Sequence, residues 1–310
     1  MIKVFIVVLN WNRAKDTIEC LESIAKLKTD KYDLHAVVVD NGSNSRTVEK
    51  IQECINSILS SNGIAYEMVR NKENLGFAQG NNIGIRHAMK KKADYVVVLN
   101  NDTLVDADFI IELLEVARKE PKVGAVSPKI YFAKGFEFHK ERYKKSDLGK
   151  VIWYAGGKID WDNVYGTNFG VDEPDNIKFG KIKETDFFTG SCVMFNTLAL
   201  RKAGLFDDDY YMYFEDADLS MRMKKRGWTV LFAPKSKIWH KVSQSSAIGS
   251  DLNDYYITRN RLKFGMMYAP LKTKLALLRE SIRFLLNGRF WQKIGVKDFY
   301  LGAYGKGSWK

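Results

Sequence analysis

The sequence predicts an α/β protein in which a mainly parallel sheet is flanked by helices. Between residues 4 and 100, short runs of β-branched residues alternate with stretches whose apolar residues recur at helical spacing. The β-branched runs are apolar at nearly every position, which is typical of strands buried on both faces of a parallel sheet. Ligands of such sheets bind at the carboxyl ends of the strands, so the residues that follow each strand are candidates for a site.

Each predicted strand follows from a β-branched apolar run, and each predicted helix from apolar residues at helical spacing. Strands are predicted at 4–9, 34–40, 65–71 and 94–100, and helices at 15–27, 47–59 and 80–90. After Pro128 the periodicity is lost, and residues 133–183 are expected to form a long insertion or a mobile loop near the site. Regularity returns at 186–196, followed by a helix at 197–203 and a strand at 229–234.

The positive charge of the chain is concentrated towards its C-terminus. Residues 235–310 carry 15 Lys and Arg against 4 Asp and Glu, whereas residues 1–234 carry 34 against 33. This asymmetry predicts a polyanionic partner such as lipid headgroups, a lipid diphosphate or nucleic acid, and the alternative is a solvated basic surface. We divide the chain into a domain at 1–265 and a basic helical appendage at 266–310.

Residues 271–294 of this appendage are amphipathic. Their apolar positions on one helical face are Leu271, Leu275, Leu278, Ile282, Leu285 and Leu286. A basic helix of this kind either lies in a membrane interface or packs on the domain. An anionic membrane surface is therefore one candidate partner.

Length and cysteine content restrict the class of protein. The 310 residues suffice for one large α/β domain with an appendage. The three cysteines have no paired spacing and fit neither a disulfide framework nor a zinc site, which favours a reducing cytoplasm. No stretch approaches the roughly 20 apolar residues that span a bilayer. We expect a cytoplasmic protein, with peripheral attachment to the inner face of the cell membrane as an open alternative.

Polar residues follow three of the predicted strands, at 10–12, 40–43 and 100–102. Asp102 comes directly after a buried strand, where a carboxylate can hold Mg²⁺ or Mn²⁺ bridging a diphosphate. Asn, Asp and Gly are also the residues that turns favour, so a plain turn is the structural alternative.

Three acidic residues, Glu215, Asp216 and Asp218, follow an aromatic stretch and precede a helix. A carboxylate beside an aromatic stretch can act as a general base that deprotonates an attacking hydroxyl. One of these carboxylates is a candidate for that base. The alternative is that Asp216 and Asp218 only stabilise the N-terminus of the helix.

Three other side chains are candidates for metal or phosphate binding. His240 is one of four histidines in the chain, and a neutral imidazole there could complete a metal shell with Asp102. Arg259 and Arg261 could bind phosphate oxygens bidentately. The alternatives are a structural histidine and two arginines of the general basic surface.

Five motifs in order along the chain resemble the family 2 glycosyltransferases, which have the GT-A fold. The motifs are VVLNWNR (7–13), VVDNGS (38–43), ENLGFAQGNNIGI (73–85), LNND (99–102) and FEDADLSMRMKKRGW (214–228), with weaker matches at FTGSCVMF (188–195) and WHKVSQSS (239–246). The resemblance covers about residues 3–265 and is closest to the rhamnosyltransferase-like branch.

The resemblance implies roles for individual residues. Asp40 would hydrogen-bond the nucleobase, the strand end at 9–12 would line the same pocket, and the stretch 74–82 would border the ribose and sugar. The residues implied in nucleotide-sugar binding are Leu9, Asn10, Asn12, Asp40, Asn74, Gly76, Gly80, Asn81, Asn100 and Asn101. Gly76 and Gly80 would permit close approach of the backbone.

The remaining implied roles concern the metal and the chemistry. Asp102 matches the last Asp of the family's metal-binding D-x-D, but Asn100 stands where the first Asp often lies, which gives His240 more weight as a second ligand. Asp216 matches the catalytic base, and Glu215 would shape the acceptor site. The backbone of Gly190 and Ser191 would contact the acceptor or donor.

The sequence therefore predicts an inverting, metal-dependent glycosyltransferase that uses Mg²⁺ or Mn²⁺. The branch favours a dTDP-deoxysugar donor, dTDP-rhamnose in particular, with UDP- or GDP-sugars as alternatives. The acceptor would be a glycan or a polyprenyl-diphosphate-linked glycan. A sugar-nucleotide nucleotidyltransferase is disfavoured, because residues 10–13 read NWNR and lack the Gly-rich loop expected there. A nucleic-acid-binding module would not explain the acidic and amide strand ends, so no nucleic acid partner is expected.

Overall fold

A computed structural model describes residues 1–62, 64–242 and 250–309 of the chain. Residues 243–246 of the WHKVSQSS match lie outside the described residues. The strands are β1 Ile2–Asn10, β2 Tyr32–Asp40, β3 Ala65–Arg70, β4 Tyr95–Asn100, β5 Thr103–Val105, β6 Val123–Phe132, β7 Val151–Tyr154, β8 Gly157–Asp160, β9 Tyr165–Asn168, β10 Glu173–Pro174, β11 Lys183–Glu184, β12 Cys192–Asn196 and β13 Thr229–His240. The α-helices are α1 Ala14–Ile24, α2 Ser45–Asn62, α3 Gly76–Lys90, α4 Phe109–Ala117, α5 Thr197–Ala203, α6 Glu215–Lys225, α7 Asp251–Tyr268, α8 Leu271–Asn287 and α9 Phe290–Leu301.

The predicted parallel sheet is present in the N-terminal part of the chain. β3, β2, β1 and β4 lie side by side in that order, and each pair is parallel. β12 continues the sheet antiparallel to β4 and β6, and β13 runs parallel to β6. Within this register Asn10 lies beside Asp40, and Leu9 lies beside Asn100. The polar ends of three strands therefore meet at one edge, as the sequence predicted.

β1 is buried on both faces, which explains its uninterrupted apolar sequence. Val4, Ile6 and Val8 belong to one core cluster, which includes residues of α1. Phe5 and Val7 belong to a second cluster, which includes residues of α3. Successive side chains of a strand point to opposite faces, so each face of β1 contributes to a different core. The prediction of helices on both faces of the sheet is confirmed.

Residues 133–183 were expected to form a long insertion or a mobile loop, and their regular strands contradict the loop alternative. This segment contains β7 to β10, and β8 pairs with β9 as an antiparallel hairpin. Ile152 and Tyr154 of β7 are fully buried in the main core. The strands are only two to four residues long. Runs that short are too brief for a period of two to be recognised in the sequence.

The predicted helix at 271–294 is two helices. α8 ends at Asn287 and α9 begins at Phe290, because Gly288 and Arg289 have extended backbone conformations. α8 buries Thr273, Leu277 and Ser281. Its exposed apolar residues are Leu271, Leu275, Ile282 and Leu286. The helix therefore packs on the domain with one face and leaves an apolar stripe on another. Among the described helices, none is both long and apolar enough to cross a membrane.

The last strand is longer than predicted, and α7 crosses the predicted domain boundary. β13 runs to His240 instead of ending at Pro234, with an irregularity in its pairing between Ala233 and Lys237. Pro234 interrupts the hydrogen bonding without ending the strand. α7 runs across the predicted domain boundary at residue 265, and Val296 of α9 belongs to the main core. The division at residue 265 stays a prediction.

Candidate active site

A cleft of about 410 Å³ opens at the carboxyl ends of β1 and β4. The predicted site residues that line it are Leu9, Asn74, Gly76, Asn100, Asn101 and Asp102. The other lining residues are Trp11, Arg13, Asn41, Glu73, Phe77, Tyr211, Met212, Leu252, Lys306 and Trp309. Aromatic and apolar walls with a few polar groups are the usual composition of a small-molecule site.

Three other predicted residues hold the ends of β1 and β2 together and do not line the cleft. Asn10 donates through Nδ2 to Asp40 Oδ1 and Ser43 Oγ, both at 3.0 Å. Asp40 is fully buried and also accepts from the Ser43 amide. Asn12 accepts through Oδ1 from the backbone amide of Asn44. A buried polar group needs such partners, so this network stabilises the floor beneath the cleft.

Directly after β2, the residue that lines the cleft is Asn41. Its Nδ2 donates to Asn74 Oδ1 at 2.9 Å and to the carbonyl of Gly76 at 3.1 Å. Its Oδ1 accepts from the Leu75 amide. Asn41 thus connects the end of β2 to the start of α3, and it shares the cleft lining with Asn74 and Gly76.

Two predicted site glycines of α3, Gly76 and Gly80, allow protein side chains to approach the backbone closely. Gly76 has a φ of +80°, and a Cβ there would lie 2.5 Å from the Tyr211 ring. A Cβ on Gly80 would lie 2.7 Å from Leu9 Cδ1. Both distances are shorter than any normal van der Waals contact, so a larger residue at either position would displace a cleft wall. Asn81 is buried and donates to the carbonyl of Phe77.

The two predicted metal ligands lie together at the end of β4. His240 Nε2 is 3.1 Å from Asp102 Oδ1. This contact does not have the geometry of a hydrogen bond, and among the described residues Asp102 Oδ1 and His240 Nδ1 are buried atoms without a hydrogen-bond partner. In an octahedral shell with ligands about 2.1 Å from the ion, neighbouring ligands are about 3 Å apart. A carboxylate and a neutral imidazole at this separation therefore fit a divalent cation.

The protein side chains supply only part of a coordination shell. In the described part of the chain no three His, Cys, Asp or Glu residues are grouped so that they could hold an ion. Mg²⁺ and Mn²⁺ sites that serve nucleotides commonly use one or two protein ligands and complete the shell with phosphate oxygens and water. The pair of Asp102 and His240 meets this requirement.

Glu215 and Asp216 begin α6, beside the loop that precedes β12. Asp216 Oδ2 accepts from the Gly190 amide at 3.0 Å, and its Oδ1 accepts from Ala217. Burial raises the pKa of Asp216, and these hydrogen bonds act in the opposite direction. Burial raises the pKa of Glu215 well above its ordinary value, and the Asp216 charge raises it further. Among described residues, Glu215 Oε2 has no hydrogen-bond partner.

The loop before α6 is held in an unusual backbone conformation. Tyr211, Tyr213 and Phe214 all have positive φ, between +62° and +72°. Such angles cost about 1–3 kcal/mol each for bulky residues and persist only where surrounding contacts impose them. Asn260 of α7 supplies these contacts, because its Nδ2 lies 2.8–3.0 Å from the carbonyls of Tyr210, Met212 and Tyr213. The loop thereby orients the start of α6, where the two carboxylates lie.

Neither predicted phosphate-binding arginine lines the cleft. Arg259 is fully buried, and its guanidinium donates to the carbonyls of Asp209, Tyr210 and Ala303. Arg261 donates to Asn163 O and pairs with Glu280 at 2.6 Å. Their donors are engaged by the protein, so we do not retain a phosphate contact for either residue.

Asp218 also has a structural role. It is 1% exposed, accepts from Tyr268 at 2.7 Å and pairs with Arg222 at 2.7 Å.

The backbone at 190–191 connects the base candidate Asp216 to β4. Gly190 donates to Asp216, and the Ser191 carbonyl accepts from the Asn100 amide at 2.9 Å. The base candidate and the end of β4 are thus attached to the same short segment.

Comparison with known proteins decides the family. Residues 5–202 match the family model described as Glycosyl transferase family 2. The chain belongs to this family. Residues 161–301 match a related model, Glycosyl transferase family group 2. The predicted family is confirmed, and the match continues beyond residue 265, where the resemblance in the sequence motifs ended.

Curated proteins similar to this family 2 chain include a rhamnosyltransferase and a polysaccharide synthase. The N-acetylglucosaminyl-diphospho-decaprenol L-rhamnosyltransferase of Mycobacterium tuberculosis is 28% identical over 155 residues, which cover 49% of this chain and 48% of that protein. The poly-beta-1,6-N-acetyl-D-glucosamine synthase of Staphylococcus aureus is 28% identical over 233 residues, which cover 74% of this chain and 48% of that protein. The chain spans about half the length of these relatives. The predicted similarity to the rhamnosyltransferase-like branch is confirmed.

Two solved structures share the fold of this family 2 chain. GalNAc-T7 with UDP, GalNAc and Mn²⁺ has a TM-score of 0.61 at 16% identity, covering 97% of this chain and 57% of that one. The mannosyltransferase PcManGT of Pyrobaculum calidifontis, in complex with GDP-Man and Mn²⁺, has a TM-score of 0.55 at 17% identity, covering 97% and 74%. At such identities the likeness concerns the fold alone, and it confirms the predicted GT-A fold.

Proposed function

We propose that the protein transfers a sugar from a nucleoside-diphosphate donor to an acceptor hydroxyl with inversion at the anomeric carbon. The observation that carries this proposal is the 3.1 Å pairing of Asp102 with His240 at the end of β4. The pair lies close to the segment 190–191, which contacts both Asn100 and Asp216. Family membership and the GT-A fold support the transfer of a sugar from such a donor.

Asp102 and His240 would hold a divalent cation, Mg²⁺ or Mn²⁺. When bound, such a cation neutralises charge on the diphosphate leaving group. Both structural neighbours were solved with Mn²⁺, which supports this cofactor. Asn100 and Asn101 line the cleft beside Asp102 and would contact the donor.

Asp216 acts as the general base in this proposal. Inversion by direct displacement needs one group that takes the proton of the acceptor hydroxyl, and a pKa raised towards the working pH suits a base. The hydrogen bonds from Gly190 and Ala217 hold the carboxylate in one orientation. Burial raises the pKa of Glu215 well above its ordinary value, which favours the neutral form, and this side chain would border the acceptor site.

For the donor we propose a dTDP-deoxysugar, dTDP-rhamnose in particular, ahead of UDP- and GDP-sugars. The similarity to the rhamnosyltransferase of Mycobacterium tuberculosis supports this order. The diphospho-decaprenol in the name of that relative supports a polyprenyl-diphosphate-linked glycan as acceptor. Such an acceptor would be used at the inner face of the cell membrane.

The exposed stripe of α8 fits attachment to that membrane. Leu271 and Leu286 are 73% and 68% exposed, and Lys272, Arg279 and Arg283 are exposed on the same helix. Exposed apolar residues interspersed with cations are the pattern of a helix that binds anionic lipid. Several other cations of the C-terminal part pair within the protein, including Arg261 with Glu280. Among the described residues, Lys272, Arg279 and Arg283 of α8 have no carboxylate partner, so their charges are available beside the apolar stripe.

The proposed function is tested by donor turnover. The purified protein would be incubated with dTDP-rhamnose, UDP-N-acetylglucosamine or GDP-mannose, each with a polyprenyl-diphosphate-linked acceptor and Mg²⁺ or Mn²⁺. Acceptor-dependent release of one nucleoside diphosphate, with a product of inverted anomeric configuration by NMR, is the expected result. A product that retains the donor configuration would contradict the single-base mechanism.

A further inference from the structure

The chain returns to the cleft after its last helix. Residues 303–309 follow α9, and two of them, Lys306 and Trp309, line the same cleft as Asn74 and Asp102. This C-terminal segment lies beyond every motif of the resemblance, and beyond both family matches, which end at residues 202 and 301.

Backbone hydrogen bonds to buried side chains fix the C-terminal segment. Asp298 accepts from the amide of Ser308 at 2.9 Å and from its hydroxyl at 3.0 Å. Arg259 donates to the carbonyl of Ala303 at 3.2 Å. The Gly305 amide donates to the carbonyl of Asp209 at 2.8 Å. Asp298 and Arg259 are both at least 96% buried, so their hydrogen bonds are strengthened by a low local dielectric.

An aromatic stack continues from the C-terminal segment into the cleft. The Trp309 ring lies 4.7 Å from Trp291 and 6.0 Å from Tyr256. Tyr256 stacks on Tyr211 at 5.1 Å, and Tyr211 contacts the cleft beside Gly76. The segment is therefore a packed wall of the cleft rather than a loose end.

Lys306 is the cation that this wall presents. It is exposed, and in the described part of the chain no carboxylate pairs with it. The other basic residue that lines the cleft, Arg13, donates to Asp16 at 2.8 Å. The lining carboxylates belong to Glu73 and Asp102. Among the described residues that line the cleft, Lys306 is thus the cation without a carboxylate partner, and a lysine ammonium binds phosphate oxygens as a point charge.

We propose that Lys306 binds a diphosphate group and that the C-terminal segment is a wall of the substrate site. The proposal rests on the proposed function and adds to it a substrate-binding residue outside the family's motifs. The diphosphate has two possible sources, the nucleotide donor and a lipid-linked acceptor. Both present the same charge to Lys306.

The test compares Lys306→Gln with Lys297→Gln by calorimetry in the presence of Mg²⁺. Lys297 is an exposed lysine of α9 that does not line the cleft, so it is the matched control. The probes are dTDP, UDP and GDP for the donor, the corresponding nucleoside monophosphates, and geranyl diphosphate for the lipid. Lys306→Arg should restore binding, because it restores the charge.

We expect Lys306→Gln to weaken binding of one diphosphate probe about tenfold, the effect of one charge-assisted hydrogen bond, with little change for the monophosphate. A loss confined to nucleoside diphosphates identifies the donor, and a loss confined to geranyl diphosphate identifies the acceptor. Unchanged affinity for every diphosphate that the wild-type protein binds would overturn the proposal for Lys306. Failure of the wild-type protein to bind any of these probes would instead contradict the proposed function.

Discussion

The backbone amide of Gly190 donates a hydrogen bond of 3.0 Å to Oδ2 of Asp216. This bond connects the first turn of α6 to the loop before β12, and the next residue, Ser191, accepts from Asn100 at the end of β4. Gly190 also lies against the cleft wall, because a Cβ added to it would be 3.0 Å from the ring of Phe77, which lines the cleft. The proposed base is therefore held by backbone that also contacts the cleft.

Replacing the proposed base should remove turnover without removing donor binding. Asp216→Asn keeps the shape of the side chain but cannot take a proton, so kcat should fall by about 10²–10⁴-fold. The dissociation constant for the nucleoside diphosphate should stay within a factor of about two, because Asp216 does not line the cleft. Steady-state kinetics and calorimetry measure the two quantities. Equal turnover by Asp216→Asn and wild type would exclude this residue as the base.

Activity should depend on a carboxyl group with a raised pKa. The base works in its deprotonated form, and burial raises the pKa of Asp216. Activity should therefore fall as the pH is lowered through a value above the ordinary carboxyl pKa of about 4. A profile of kcat/KM against pH, with stability checked at each pH, measures this limb. An acidic limb at or below the ordinary value would contradict the raised pKa.

Asn260 should be required for the conformation of the loop before α6. Asn260→Ala leaves buried carbonyls of this loop without a partner, which costs about 1–3 kcal/mol of unfolding free energy. Because Tyr213 and Phe214 have positive φ, the loop should relax and kcat should fall at least about tenfold.

The matched control for this variant is Asn253→Ala on the same helix. Asn253 is half-buried near the start of α7 and supports no part of the loop. Chemical denaturation and turnover assays should separate the two variants. If both alanine variants behaved alike, the role assigned to Asn260 would be wrong.

The apolar stripe of α8 should carry membrane attachment. We expect the wild-type protein to bind phosphatidylglycerol liposomes at low salt and to bind phosphatidylcholine liposomes weakly. Leu275→Ser with Ile282→Ser removes two exposed apolar side chains and should reduce partitioning at least about tenfold. Leu198→Ser, an exposed leucine of α5, is the control. Absence of wild-type binding to anionic liposomes in a sedimentation assay would refute this attachment.

The fold was predictable where burial acts on a long run of residues. The central parts of β1, β2 and β4 are buried on both faces, so their sequences are apolar at nearly every position there and the strand ends could be located within a few residues. The short strands β7 to β10 carry too few residues for a period to appear. The break at Gly288 was missed because the apolar spacing continues on both sides of it.

The site residues that lie in sequence motifs could be predicted, whereas those that tertiary packing alone brings to the cleft could not. Asp102 and His240 are far apart in sequence, yet they were paired as candidate metal ligands from their chemistry, and they lie 3.1 Å apart. Arg259 was misinterpreted because a buried arginine and a phosphate-binding arginine look alike in a sequence. Lys306 and Trp309 had no signal, since their place in the cleft depends on the tertiary packing of α9.

The central claim, a metal-dependent nucleotide site at Asp102, is tested most directly by calorimetric titration. dTDP, UDP and GDP would each be titrated with Mg²⁺ or Mn²⁺ and again with EDTA, using the wild type, Asp102→Ala and the control Asp108→Ala. Asp108 pairs with Lys28 on the surface and does not line the cleft. We predict metal-dependent binding of one nucleotide that is lost in Asp102→Ala and kept in Asp108→Ala. Binding that is unaffected by EDTA and by Asp102→Ala would contradict the site.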